Sequence, residues 1–253
     1  MSVSEGLSVA IITKNEERHL ARALDSVEFA DEVIVVDSGS TDSTLHIARS
    51  RGCRVIERDW TGFAPQKNFA LEQASREWVL SLDADEALSA TLAREVRQVV
   101  SGASSGCDAC SVPRLTLFID RWMRHGGWYP DRQIRLIRSG AAQFTDRRVH
   151  ESIVTDRPVA KLRGDLLHYS YASVEDYVAR MNSYSTLAAE EALARDRRVS
   201  SLNLATALPR KFLEVYVYKQ GFLDGRHGFV AAWLSAYGVF LRYAKIRWPE
   251  PPA

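Results

Sequence analysis

Four short runs rich in β-branched and aliphatic residues punctuate the first third of the chain: Leu7–Ile12, Glu32–Val36, Cys53–Glu57 and Trp78–Leu82. Each is followed by a polar turn and then by residues with helical spacing, as in Leu20, Leu24 and Val27 after the first run or the segment opening at Ala64-Pro65-Gln66-Lys67-Asn68 after the third. Repeated strand and helix units of this length imply a parallel sheet with helices on its faces. Right-handed crossovers then bring the C-terminal ends of the strands to one edge, where open α/β sheets bind ligands.

Those ends are polar. Thr13, Glu16, Asp37, Lys67, Asn68, Asp83 and Asp85 are expected to line one crevice, with Asn15 as the N-cap of the first helix. Asp83-Ala84-Asp85 can put one carboxylate on a hard divalent cation and the other on a ribose or a metal-bound water. An Asp-x-Asp pair arises by chance about once in a chain of this acidity, so its neighbours must decide. Asp83, Asp85 and Glu86 also read as residues favoured at the start of a helix near Ser89. Asp37 and Asp42 likewise read as turn and helix caps, and Lys67 and Asn68 as a solvated first turn. Their convergence suits a nucleoside diphosphate: a carboxylate accepts from a base N–H or a ribose hydroxyl, and a cation neutralises the phosphates.

The segments Ala10-Ile11-Ile12-Thr13-Lys14-Asn15-Glu16, Val35-Val36-Asp37-Ser38-Gly39-Ser40-Thr41-Asp42, Gln66-Lys67-Asn68 and Leu82-Asp83-Ala84-Asp85-Glu86 occur in the order and spacing of family-2 glycosyltransferases with the GT-A fold, which the chain resembles. In detail it is similar to the subgroup containing the β-1,4-glucosyltransferases of lipopolysaccharide inner-core assembly. The resemblance implies an α/β fold, a GT-A (Rossmann-like) mixed sheet flanked by helices, with a C-terminal helical extension. It implies a nucleoside-diphosphate sugar donor, usually UDP-linked, inversion at the anomeric carbon, and a divalent cation, Mg2+ or Mn2+. By the same resemblance Thr13, Glu16 and Asp37 contact the nucleoside, Asp83 the ribose or a metal-bound water, and Asp85 the metal. Asn15, Lys67 and Asn68 fall in the same nucleotide-sugar motifs.

Between Ala109 and Ile137 short β-like runs flank Gly126-Gly127-Trp128-Tyr129-Pro130-Asp131. By the period of two, Gln133 and Arg135 share a face and are expected to look into the crevice. Arg135 either holds a phosphate through its planar fork or is a surface arginine on an edge strand. Trp128 and Tyr129 are either an apolar platform for a sugar or packing aromatics. Inverting transfer needs one base for the acceptor hydroxyl. The resemblance at Val149-His150-Glu151 points to Glu151, with Asp131 in reserve and His150 orienting the base or meeting the acceptor. His168 is a candidate to complete the metal shell, with a structural role as its alternative.

The chain of 253 residues carries 33 Lys and Arg against 32 Asp and Glu, a balance that does not point to nucleic acid. Cys53, Cys107 and Cys110 are expected to be reduced thiols, since no second pair completes a zinc site. No secretory signal is expected at Met1, and the apolar stretch Phe229–Leu241 is too interrupted to span a bilayer. A catalytic domain is expected over residues 1–170, with a nucleotide part to about residue 105 and an acceptor part from 106, followed by a helical region over 171–253. Val174–Arg195 reads as a long helix with Tyr177, Met181 and Tyr184 on one stripe, and Pro209 as a first-turn residue of the next. The last helix carries Phe229, Trp233, Tyr237 and Phe240 among basic residues, which suits either docking on anionic lipid or a hairpin that covers the sheet.

The expected function is therefore metal-dependent transfer of a hexose, glucose from UDP-glucose, to a heptose of a lipid-linked core oligosaccharide, by a cytoplasmic enzyme peripheral to the inner face of the cytoplasmic membrane. Alternatives are a noncatalytic sugar-nucleotide-binding protein or a transferase of the same fold acting on another envelope glycan. A nucleotidyltransferase is disfavoured because Thr13-Lys14-Asn15-Glu16 is not a glycine-rich phosphate loop.

Overall fold

The first apolar run becomes strand β1 (Ser4–Thr13) of a computed structural model that describes residues 4–102, 106–145 and 152–249. Helix α1 (Leu20–Ser26), β2 (Glu32–Asp37), α2 (Thr44–Ser50), β3 (Arg54–Glu57), α3 (Phe63–Glu72) and β4 (Arg76–Asp83) follow as alternating elements. β1 lies parallel to both β2 and β4, and β2 parallel to β3. Parallel strands are buried on both faces. In β1, Leu7, Val9 and Ile11 pack with Leu20 and Leu24 of α1 in one core, whereas Ala10 belongs to a second core with Ala64 and Ala70 of α3. Each fully buried Leu or Ile contributes about 1.5–3 kcal/mol, which fixes the register of these strands.

After β4 come β5 (Glu86–Leu88), α4 (Ala90–Val100), β6 (Ala109–Phe118), β7 (Arg121–Trp122), β8 (Asp131–Arg138), β9 (Gln143–Phe144), β10 (Ile153–Val154), β11 (Val159–Lys161) and β12 (Leu166–Tyr171). The main sheet runs β3-β2-β1-β4-β8-β6-β12-β5, and among the described residues β9 pairs only with β10. β8 is antiparallel to β4 and to β6, and β12 antiparallel to β5 with His168 opposite Glu86. The sheet is thus mixed, flanked by helices, as the sequence implied. Ser89 does cap α4, accepting from the Leu92 amide at 3.2 Å, but β5 separates it from Asp83 and Asp85.

The chain forms two compact units, one of residues up to 114 with 131–169, the other of residues 115–130 with those from 170 onward. In the second, α5 (Val174–Ala194) starts at Ser173, whose hydroxyl accepts from the Asp176 amide, and Glu175 and Asp176 complement its dipole. α6 (Ser201–Leu213) is capped the same way by Ser200 and passes into a π-helical turn, Glu214–Tyr218. Pro209, expected in a first turn, lies inside α6, because the strong Ser200 cap starts the helix two turns earlier. A 3-10 turn (Gly221–Asp224) leads into α7 (Gly225–Arg247). No helix among the described residues is long and apolar enough to cross a membrane.

Candidate functional site

The strand register sets three polar side chains at one sheet edge. Thr13 is opposite Asp37 on β2, and Ile12 opposite Asp83 on β4. Thr13 and Asp37 are buried, and the Thr13 hydroxyl donates to Asp37 Oδ1 at 2.9 Å. Asp37 also accepts from the amides of Gly39 and Ser40 at 2.9 and 2.8 Å and from the Ser40 hydroxyl at 2.5 Å. It therefore shapes the turn after β2, where Gly39 takes a φ of 80° that glycine reaches without strain.

That turn is tied to the one after β1. The Asn15 amide donates to Ser40 Oγ at 2.8 Å, its side-chain oxygen accepts from the Thr41 amide at 2.8 Å, and the Glu16 amide donates to Thr44 Oγ1 at 2.7 Å. Asn15 is consequently not the helix N-cap expected of it. It sits at φ 57° in the left-handed region, and α1 starts at Leu20 with His19 in the cap position. Asn tolerates this backbone better than other side chains, and its short amide reaches the neighbouring turn.

Asp83 lies at the centre of a charge network. Lys67 Nζ stands 2.8 Å from its Oδ1, and Arg135 Nη2 is 2.9 Å from its Oδ2 and 2.7 Å from Glu86 Oε1. The Asp83 amide donates to Glu86 Oε2 at 3.1 Å. Burial alone would raise the Asp83 carboxyl, but the Arg135 and Lys67 charges outweigh it and hold that group well below the usual carboxylate range. Burial pushes the Glu86 carboxyl up, and the Arg135 charge only partly opposes this. Arg135 is 4% exposed on a strand between β4 and β6, so it is not a surface arginine on an edge strand. Its Nη2 is bound to the two carboxylates, which makes it their counter-ion rather than a free phosphate clamp.

Arg114 extends the network, its Nη2 2.6 Å from Asp131 Oδ2, and Gln133 donates to Asp131 Oδ1 at 2.9 Å. The reserve base Asp131 is thus engaged on both oxygens. Asn68 does not face the crevice with its amide free. It brackets the backbone of Phe144, donating to the carbonyl at 3.0 Å and accepting from the amide at 2.7 Å, and so anchors α3 to β9. The preceding Gln66 is fully buried and donates to Ser38 Oγ at 3.1 Å.

Asp85, one residue beyond the clamped Asp83, meets His168 across the β5 and β12 pairing. Asp85 Oδ2 is 3.3 Å from His168 Nε2, with both side chains at least four-fifths buried. A carboxylate oxygen and an imidazole nitrogen are donors that a first-row divalent cation accepts together, and two protein ligands suit a cation that shares its shell with substrate phosphates. The donor set fits such an ion. Among the described residues no group of three His, Cys, Asp or Glu side chains converges.

His150 and Glu151 lie outside the described residues. Trp128 and Tyr129 belong to the second unit, where Trp128 packs in a cluster with Phe118, Tyr171 and Tyr177, at ring separations of 5.7–6.2 Å. Trp128 is therefore a packing aromatic there, and Tyr129 lies under the Arg124 guanidinium, 5.3 Å from its ring centre. Sequence reasoning missed Glu86 and Arg114 as members of the network. Glu86 adjoins the Asp-x-Asp pair in an acidic run, which reads equally as a helix start, and Arg114 sits in a strand-like run without any charge motif.

The model of glycosyl transferase family 2 matches residues 8–154. An uncharacterized glycosyltransferase of Rickettsia typhi is 35% identical over 252 residues, covering 95% of this chain and 86% of the relative. A lipopolysaccharide core biosynthesis glycosyltransferase of Rhizobium meliloti, LpsC, is 34% identical over 247 residues, covering 95% and 91%. The crystal structure of S. aureus TarS 1-349 in complex with UDP-GlcNAc aligns with a TM-score of 0.49 at 15% identity, covering 97% of this chain and 90% of that one.

Proposed function

Because the chain belongs to glycosyl transferase family 2 and is a nucleotide-sugar-dependent glycosyltransferase, we propose that it transfers a hexose, glucose from UDP-glucose, with inversion to a heptose of the lipopolysaccharide inner core. The acceptor class is supported by the likeness to the lipopolysaccharide core biosynthesis glycosyltransferase of Rhizobium meliloti, which this chain matches along nearly its whole length. The observation that carries the donor site is the pairing of Asp85 with His168 at 3.3 Å beside the charge-clamped Asp83, at the C-terminal edge of parallel strands.

In this reading Thr13, Glu16 and Asp37 form the nucleoside side of the crevice and Asp83 its ribose side. Lys67 and Arg135 keep Asp83 ionised and fixed in direction. Asp85 and His168 hold the divalent cation, Mg2+ or Mn2+, which when bound supplies a Lewis acid for the charge of the departing diphosphate. Glu151 takes the proton of the acceptor hydroxyl on the face opposite the leaving nucleotide, and His150 orients that base or meets the acceptor. Glu151 is preferred to Asp131 because the latter is engaged by Arg114 and Gln133. The enzyme works at the inner face of the cytoplasmic membrane, where a lipid-linked acceptor is available.

Transfer of labelled glucose from UDP-glucose to lipopolysaccharide truncated at the inner-core heptose tests this reading. Labelled product that requires manganese or magnesium and is lost in Asp85→Ala is expected. Product that forms equally with Asp85→Ala contradicts the assignment of the metal site, and transfer only from another donor or to another glycan contradicts the substrates.

A further inference from the structure

Helix α7 is apolar on two sides. On one, Gly228, Ala231, Ala232 and Ala236 are buried, and a Cβ on Gly228 would meet the Gly221 carbonyl oxygen at 1.8 Å, so this side packs closely on its own unit. On the other, Phe229, Trp233 and Tyr237 are 42–47% exposed. At 3.6 residues per turn, Arg226, Phe229, Trp233, Tyr237 and Phe240 fall within an arc of about 80°. The end of α6 and the π-helical and 3-10 turns continue this surface with Leu213, Val217, Tyr218, Phe222 and Leu223, each 46–85% exposed. The two parts are joined by ring contacts, Phe212 to Trp233 at 5.1 Å and Tyr216 to Phe229 at 5.7 Å.

The charge of this surface is positive in balance: by helical spacing Arg226 and Arg247 fall on the stripe, α7 holds no Asp or Glu, and Glu214 of the adjoining turn is flanked by Lys211 and Lys219 at 3.0 and 2.7 Å. A two-fold contact with a second copy would set these cations against their own kind, because such an interface pairs a patch with itself. Anionic lipid headgroups complement them instead, and Trp and Tyr are the side chains that favour the boundary between headgroup and acyl chain. Since no helix among the described residues is suited to cross the bilayer, the face lies along it.

We propose that the aromatic stripe of α7 and the adjoining 213–223 segment form a docking face for a bilayer bearing anionic headgroups, with the rings at the acyl boundary and Arg226 among the phosphates. This rests on the reading of the protein as peripheral to the membrane, and it names the surface and the lipid charge that reading requires.

The test is sedimentation of the full chain with vesicles of phosphatidylcholine alone or mixed with phosphatidylglycerol, alongside Trp233→Gln, Arg226→Glu and, at the 85% exposed ring of Tyr218, Tyr218→Ser. UDP titration of every variant reports whether the fold and the nucleotide site are intact. Wild-type binding confined to the phosphatidylglycerol vesicles, weakened about tenfold by Trp233→Gln and by Arg226→Glu with UDP binding unchanged, is the expected result. Wild-type binding that these variants leave untouched overturns the docking face while the peripheral reading stands. Absence of wild-type binding to either vesicle overturns both, and a soluble dimer that Trp233→Gln converts to monomer shows that a second copy covers the face.

Discussion

Asp83 has both carboxylate oxygens within 3 Å of a cation, Lys67 on one and Arg135 on the other. Its depressed native pKa means that its contribution to stability is complete above the unfolded-chain value near pH 4 and is lost as the pH falls through the native value. Asp83→Asn should therefore flatten the acid limb of a stability-against-pH curve. It should also destabilise the protein at neutral pH by about 3–5 kcal/mol, because Lys67 and Arg135 are left with buried, under-compensated charge. Urea midpoints from pH 2 to 7 check both, and an unchanged acid limb contradicts the pairing. For Glu151→Gln the expected outcome is different: turnover falls by about a hundredfold or more while UDP affinity is retained. Single-turnover assays with a parallel UDP titration check it, and wild-type turnover removes Glu151 as the base. At this scale the acidic motifs were legible because Asp-x-Asp and its companions are short and local. Of their counter-ions, Lys67 and Arg135 were expected in the crevice but not as partners of Asp83, and Arg114 was missed, because the pairing of β6 and β8 that brings it in has no local pattern.

Elements were the most legible level, and their ends the least. Continuous apolar runs with helical segments between them fix a parallel sheet, and the four expected strands match β1 to β4 to within two residues at most ends. The misreadings differ in cause, one a tertiary contact and one an earlier local cap. Asn15 serves a cross-turn bond to Thr41 instead of capping α1, and Pro209 sits within α6 because Ser200 begins the helix earlier. Close backbone approaches were invisible as well. Gly228 lets α7 rest against the Gly221 carbonyl, so Gly228→Ala must separate these elements. The expected cost is about 1–3 kcal/mol, read as a lower midpoint in thermal unfolding. A midpoint equal to wild type would show that α7 is free to shift at that contact.

At the scale of the whole molecule the basic character is uneven, with residues 201–253 holding seven Lys and Arg against three Asp and Glu in a chain whose formal net charge is +1. The assignment of 115–130 to the second unit was not readable beforehand, because it depends on contacts distant in sequence. The residues of the proposed donor crevice, by contrast, all belong to the first unit. Its defining claim is that Asp85, with His168, binds a divalent cation that strengthens the hold on a nucleoside diphosphate. The decisive measurement is a calorimetric titration of UDP, with GDP as control, into wild type and Asp85→Ala, with and without manganese. UDP binding that manganese tightens in wild type, with no such gain in Asp85→Ala, is the predicted result; binding that is indifferent to manganese, or a metal effect that survives in Asp85→Ala, contradicts it.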